Sequence, residues 1–195
     1  INKKGFSGQK TLRVYCSEET HSSIEKGAKI MGLGSDNVVK VSLDDKFSMR
    51  PEVLKEHIAS DIEKGYVPLC VVATIGTTGS TAIDPLKEIA EICKEHNILL
   101  AFDEVQTGFG RTGKNFAHQL YNIKPDLMGC GKAAGGGILP VSFVAGTDEV
   151  IGVLTPGSEG STFGGYPLAS VVGVYAIKTL VEEKLAQNAL ERGAQ

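Results

Sequence analysis

The chain has 195 residues, of which 42% are hydrophobic and 22% are charged, as in an ordinary globular domain. Its formal net charge of -3 provides no basic surface for nucleic acid, and its apolar runs are too short to cross a membrane. The four cysteines show neither a CxxC pair nor the spacing of a metal site. We therefore expect reduced cysteines, no metal, no nucleic acid or membrane partner, and a cytoplasmic protein.

The apolar pattern predicts strands that alternate with helices along the chain. The predicted strands cover residues 12–17, 38–43, 67–75, 98–102, 126–129 and 141–145. Helices are predicted to begin near His21, at Pro51, at Pro85 and at Pro167. This order predicts an α/β fold, a three-layer sandwich with a mainly parallel sheet and helices on both faces. Ligands of such sheets bind at the carboxyl ends of the strands, so polar residues there are candidates for function.

Two ionisable residues stand at such positions. Asp103 directly follows the apolar run ILLAF, where it would serve a ligand or, alternatively, cap a helix or turn. Lys132 lies in the glycine-rich stretch GCGKAAGGG, which allows a flat ligand to approach the backbone. A buried lysine is able to form a Schiff base, whereas the alternative is a solvated loop lysine.

The two residues occur within motifs that strengthen the functional interpretation. The segments LLAFDEVQTGFGRTGK, KPDLMGCGKAAGGG and GSEGSTFGGYPLAS closely resemble class III aminotransferases of the ornithine and acetylornithine type. The resemblance covers roughly residues 98–195. It implies the cofactor pyridoxal 5'-phosphate (PLP), an amino acid substrate and a homodimer.

The same resemblance implies a role for each residue of the motifs. Asp103 would pair with the pyridine nitrogen of PLP and keep it protonated. Val105 would pack on one face of the ring, and Gln106 would contact the ring hydroxyl. Lys132 would form the Schiff base with the cofactor. Thr162 would reach the phosphate bound to the neighbouring subunit, although Tyr166 replaces the asparagine usual in this last motif.

The first half of the chain resembles a different family. The segments RVYCSEETHSSIEKGAKIMGLG and IEKGYVPLCVVATIGTTGSTAIDPLKEIAEIC look like group II PLP decarboxylases of the aromatic amino acid and glutamate type. This resemblance implies that His21 stacks on the PLP ring and that Thr78, in the GTT turn, lines the pocket. The alternative for His21 is a capping residue at the start of a helix.

Both families share the large domain of fold-type I PLP enzymes, so the two halves are compatible. We expect residues 1–195 to form a single PLP-binding core domain, decarboxylase-like in 1–97 and aminotransferase-like in 98–195. We also expect this core to be partial, without the first strand, the phosphate-binding helix and the small C-terminal domain. The join of two family patterns suggests a chimera.

The resulting functional hypothesis is a PLP-dependent core that acts on amino acids through a Schiff base on Lys132, most simply by transamination. The first alternative is α-decarboxylation, because the groups that hold the substrate carboxylate decide which Cα bond breaks. The second alternative is a truncated or chimeric structural core with little or no activity.

Overall fold

The computed structural model describes residues 5–158 and 160–195. Within these residues, the strands are Leu12–Ser17 (β1), Val38–Val41 (β2), Val67–Thr74 (β3), Leu99–Asp103 (β4), Leu127–Cys130 (β5) and Phe143–Gly146 (β6). The α-helices are Ser23–Ile30 (α1), Pro51–Glu63 (α2), Leu86–His96 (α3), Asp148–Ile151 (α4), Pro167–Glu182 (α5) and Leu185–Gly193 (α6). Short 3-10 turns cover Ser35–Asn37, Ala117–Leu120 and Lys132–Gly135.

The described strands form one sheet in the order β2-β1-β3-β4-β5-β6. β1 runs parallel to β2 and β3, and β4 runs parallel to β5, whereas β6 is antiparallel to β5. The predicted α/β fold with a mainly parallel sheet is therefore confirmed. By its internal contacts the chain divides into two compact units, one ending at Leu100 and the other covering Ala101–Gln195.

The core of the first unit is built on β1 and β3. Residues 14–17 of β1 and 70–74 of β3 are buried, as expected for strands covered on both faces. Helices α2 and α3 both pack on β3. They do so through side chains at helical spacing, Leu54 and Ile58 in α2 and Leu86 and Ile89 in α3, which are at most 2% exposed.

The ends of these elements follow from local chemistry. Pro51 opens α2, where its missing N–H is not needed by the helix. Asn97 ends α3 in the left-handed conformation, at φ +53°. Pro68 has no N–H for the ladder, and the register between β1 and β3 shifts beside it.

The second unit places the candidate site at the ends of β4 and β5. Asp103 lies opposite Gly129 in the parallel register of these two strands. Helix α5 packs on the turn that begins at Lys132, and a Cβ on its Gly173 would lie 3.7 Å from the carbonyl oxygen of Ala134.

Three features of the second unit differ from the sequence expectations or extend them. Asp103 is the last residue of its strand, whereas the prediction ended the strand at residue 102. The short helices α4 and α6 were not predicted. In α5 the apolar residues do not form a buried stripe, since Leu168, Val171 and Tyr175 are 53–63% exposed. In the part of the chain that the structure describes, no helix is long and apolar enough to cross a membrane.

Candidate active site

Asp103 ends β4 and shapes the turn that follows. Its side chain is half-buried, and its Oδ1 accepts a hydrogen bond from the backbone N–H of Val105 at 3.0 Å. The turn is closed at its far end by the N–H of Gly108, which donates to the carbonyl oxygen of Glu104 at 2.9 Å. Val105 and Gln106 are therefore presented from a turn that is fixed at both ends.

Lys132 is the second residue after β5 and begins a 3-10 turn, where it is exposed and not buried as the Schiff-base interpretation of the sequence requires. Its backbone has φ +45°, in the left-handed region that residues with a Cβ rarely adopt. Its Nζ donates a 2.7 Å hydrogen bond to Oε1 of Gln106. Strained backbone of this kind is a feature of ligand sites, where surrounding structure holds it in place.

Four of the predicted site residues thus come together in this unit. A Cβ on Gly131 would lie 3.4 Å from Cγ1 of Val105, so a glycine preserves space between Val105 and the lysine turn. Asp103, Val105, Gln106 and Lys132 are linked by the contacts described above. The arrangement offers one carboxylate, one apolar face, one amide and one amine.

Thr162 lies on a different segment, the loop before α5. The residue is exposed. The loop is held locally, because the hydroxyl of Ser161 accepts a hydrogen bond from the N–H of Gly164 at 2.9 Å. The predicted role of Thr162 towards a neighbouring subunit stays a prediction.

His21 and Thr78 belong to the first unit, and the structure gives each a local setting. The N–H of Ser23 donates to Nδ1 of His21 at 3.3 Å, and the Ser23 hydroxyl lies 2.9 Å from the same nitrogen. His21 precedes Ser22, the N-cap of α1, and its predicted contact with the PLP ring stays a prediction. In the GTT turn the buried Thr77, which receives the N–H of Ala82 at 3.0 Å, holds the loop, while Thr78 is exposed.

Glu104 is a residue of the site that the sequence did not single out. It is completely buried, and its two carboxylate oxygens are surrounded by four groups that can donate hydrogen bonds to them. Oε2 accepts from the N–H of Ala117 at 2.8 Å and from the hydroxyl of Thr107 at 3.3 Å. Oε1 accepts from the N–H of His118 at 2.7 Å and lies 3.0 Å from Nδ1 of the same residue. A second acidic residue directly after Asp103 was the available signal, but apart from Thr107 its partners lie 13 and 14 residues away.

The thiol of Cys130, at the end of β5, is buried and close enough to the Glu104 carboxylate to be affected by its charge. Burial and, to a smaller extent, the negative charge of Glu104 together raise the pKa of Cys130 to about 11. Cys130 therefore remains a protonated thiol at neutral pH, which makes it a packing residue and not a nucleophile.

The side chains at the ends of β4 and β5 fit PLP. A half-buried carboxylate suits a protonated ring nitrogen, Val105 offers an apolar surface to a flat ring, and the Lys132 amine is free of an ion pair among the salt bridges of the described residues. The glycine at 131 adds no side chain beside Val105. Fold and site together are those expected of a PLP-binding α/β core.

Comparison with known proteins identifies the family. The family model for class-III aminotransferases matches residues 25–195, and the chain belongs to this family. PLP is the cofactor of class-III aminotransferases, so the predicted cofactor and the predicted resemblance are confirmed at the level of the family. The match begins well inside the part expected to be decarboxylase-like and runs across the expected join at residue 97.

Individual relatives agree with this assignment. The chain is 53% identical over 109 residues to ornithine aminotransferase from Brevibacillus brevis, a match that covers 56% of the chain and 27% of the relative. Ornithine aminotransferase from Oceanobacillus iheyensis is 54% identical over 108 residues, with 55% and 27% covered. The chain therefore matches only about a quarter of the length of these relatives.

Solved structures match nearly the whole chain. Ornithine δ-aminotransferase from Plasmodium falciparum superimposes with a TM-score of 0.76 and 32% identity, covering 94% of this chain and 43% of that protein. Mouse CSAD superimposes with a TM-score of 0.74 and 27% identity, covering 97% and 43%.

Proposed function

We propose that this chain is the PLP-binding core of an amino acid aminotransferase and that Lys132 attaches the cofactor. The observation that carries the proposal is the 2.7 Å contact between Nζ of Lys132 and Oε1 of Gln106, beside the end of β4. It places the only residue type able to form a Schiff base with PLP next to the amide predicted to contact the ring.

Each neighbouring side chain has a task that follows from its chemistry. When bound, PLP accepts electrons from the substrate Cα and carries the amino group between substrates. The Asp103 carboxylate holds a proton on the ring nitrogen, and its bond to the N–H of Val105 keeps that carboxylate oriented. Val105 supports one ring face. Gln106 holds the Lys132 amine through a neutral amide, which orients it without fixing it in an ion pair.

The proposal extends to substrate, assembly and compartment. Identity of 53% to an ornithine aminotransferase supports a basic amino acid substrate. Exposed apolar side chains on α5, among them Val171 at 53% and Tyr175 at 63%, support a homodimer in which this face is covered. Exposure of Thr162 suits a residue that serves the phosphate of the partner. The thiols of Cys16 and Cys130 are buried and free, which supports the cytoplasm.

The organisation proposed for the chain is a single PLP-binding core with two differently derived halves. Residues 1–97 carry the decarboxylase-like motifs, and residues 98–195 carry the aminotransferase motifs, with His21 and Thr78 as cofactor contacts from the first half. The similarity of both units to fold-type I structures supports this reading, and a recombined origin is the corresponding hypothesis. α-Decarboxylation is the second candidate activity, favoured by the motifs around His21.

The test is a visible absorption spectrum of the chain with added PLP. We expect a shifted band that borohydride reduction fixes onto Lys132 in the wild type and in a Lys124→Ala control. Lys132→Ala should lack it, because no amine remains to bind the cofactor. A band of equal size in Lys132→Ala would contradict the assignment, and no band in any variant would identify a structural core.

Activity and assembly are tested on the same samples. Amino-group transfer and CO2 release, measured with ornithine, glutamate and aromatic amino acids, separate transamination from decarboxylation. Sedimentation gives the oligomeric state, and a strict monomer would contradict the homodimer and the role of Thr162.

A further inference from the structure

Glu104 joins three parts of the second unit around the candidate site. Its backbone N–H donates to the carbonyl oxygen of Gly129 at 3.1 Å, which ties it to β5. Its carbonyl oxygen accepts from the N–H of Gly108 at 2.9 Å, which closes the turn that carries Val105 and Gln106. Its carboxylate binds consecutive N–H groups, those of Ala117 and His118, in the segment that follows.

We infer that Glu104 is a positioning residue for the PLP site and that His118 is the side chain that holds it there; this inference rests on the proposed function. In the sequence, Glu104 stands between Asp103 and Val105, two of the predicted site residues. Because its backbone closes the 104–108 turn, a shift of the carboxylate shifts that turn. The positions of the apolar ring support and of the amide that holds Lys132 then shift with it.

The carboxylate group is required chemically, not merely a side chain of that size. Both oxygens act as acceptors, each towards two donors. A glutamine of nearly the same shape offers one acceptor oxygen and turns an NH2 group towards N–H donors on the other side. One set of donors is then left unpaired inside the protein, and relief requires movement of the turn or of the 117–118 segment.

The orientation of His118 decides which substitution preserves the contact. Its ring is stacked on Phe116 at a centroid distance of 6.0 Å and an interplanar angle of 18°. With the carboxylate as acceptor, Nδ1 carries the proton that is donated to Glu104. An asparagine places an N–H donor near the position of Nδ1, whereas a glutamine places it near that of Nε2. His118→Asn therefore retains the contact that His118→Gln loses.

The experiment compares Glu104→Gln, His118→Asn and His118→Gln with the control Glu149→Gln, an exposed glutamate of α4 in the same unit. Amide hydrogen exchange of the cofactor-free protein is followed over the 103–108 turn. PLP affinity and the wavelength of the bound band are then measured by titration without substrate.

We expect at least about tenfold faster exchange in the turn and at least about tenfold weaker PLP binding in Glu104→Gln and His118→Gln, the size expected when hydrogen bonds to a buried charge are lost. His118→Asn and Glu149→Gln should remain close to the wild type. Faster exchange spread evenly over the whole unit would reduce Glu104 to a stability residue and overturn the inference. Unchanged exchange in the turn would overturn it as well.

The exchange measurement keeps the two proposals separate. If the wild type forms no Lys132-dependent band, the proposed function fails. The exchange data still decide whether Glu104 and His118 fix the turn. If the wild type binds PLP and the variants bind it equally well, the proposed function stands and the positioning role is refuted.

Discussion

Asp84 gives the first unit a pH dependence opposite to that of most aspartates. The carboxyl group is 1% exposed, and it accepts N–H groups from Met49 at 2.9 Å and from Thr74 at 2.8 Å. These two bonds favour the charged form and lower its pKa, but burial opposes the charge more strongly. The balance raises the pKa of Asp84 from 3.8 to about 6. The side chain links the segment before α2, the end of β3 and the start of α3.

The size and sign of the effect follow from this pKa. A group with a raised pKa in the folded state stabilises the protein below its unfolded pKa and loses that contribution as the pH rises through the folded value. The shift of about two units corresponds to about 3 kcal/mol. We therefore expect the contribution of Asp84 to be complete below about pH 4 and lost above about pH 6 to 7.

The assay is urea unfolding of the wild type and of Asp84→Asn at a series of pH values. The free energy of unfolding of the wild type minus that of Asp84→Asn should fall by about 3 kcal/mol between about pH 4 and about pH 7. Glu95→Gln is the control. The Lys55 amine at 2.8 Å lowers the pKa of the exposed Glu95, so its small effect has the opposite sign. A wild-type advantage that grows with pH would refute the reasoning, because the hydrogen bonds from Met49 and Thr74 would then outweigh burial.

Three further substitutions test the packing described above, each by the midpoint of urea unfolding. Gly108→Ala should destabilise the chain by about 1–3 kcal/mol, because its Cβ would lie 2.9 Å from the carbonyl oxygen of Glu104; an unchanged midpoint would mean that the turn opens without cost. Gly27→Ala should instead stabilise it by about 0.5–1 kcal/mol, since this helical position has open space around the new methyl group. Tyr15→Phe should cost about 1–3 kcal/mol, because its hydroxyl donates to Oδ2 of Asp61 at 2.9 Å in a buried setting; a neutral result would show that water replaces the hydroxyl.

Much of the fold is written in local patterns, which is why it was predictable. The apolar run at 67–75 predicts β3, found at Val67–Thr74, because a strand buried on both faces reads as a continuous run of apolar residues. The starts of α2 and α5 follow from Pro51 and Pro167. Asp103 and Lys132 are predicted as site residues because each ends or follows a strand within a specific motif.

The features that escaped prediction depend on contacts between distant positions. Glu104 meets His118 across 14 residues, and nothing in either neighbourhood marks them as partners. The pKa of Asp84 is raised by burial, and the sequence position of an aspartate before a helix does not show whether it is buried. Helix α5 is rich in apolar residues, yet much of its surface is exposed, because its own periodicity does not encode what an apolar helix packs against.

The conformation of Lys132 explains why the glycine-rich stretch around it has the composition it does. A left-handed backbone at a residue with a Cβ is costly, and flanking residues with side chains would restrict it further. Gly131 before it keeps clear of Val105, and Gly136, which ends the 3-10 turn at φ +59°, lets the chain reverse. From this backbone the amine contacts Oε1 of Gln106 at 2.7 Å, and none of the ion pairs among the described residues involves it. A lysine directed by backbone geometry in this way stays chemically available, whereas one directed by an ion pair would have to break it first.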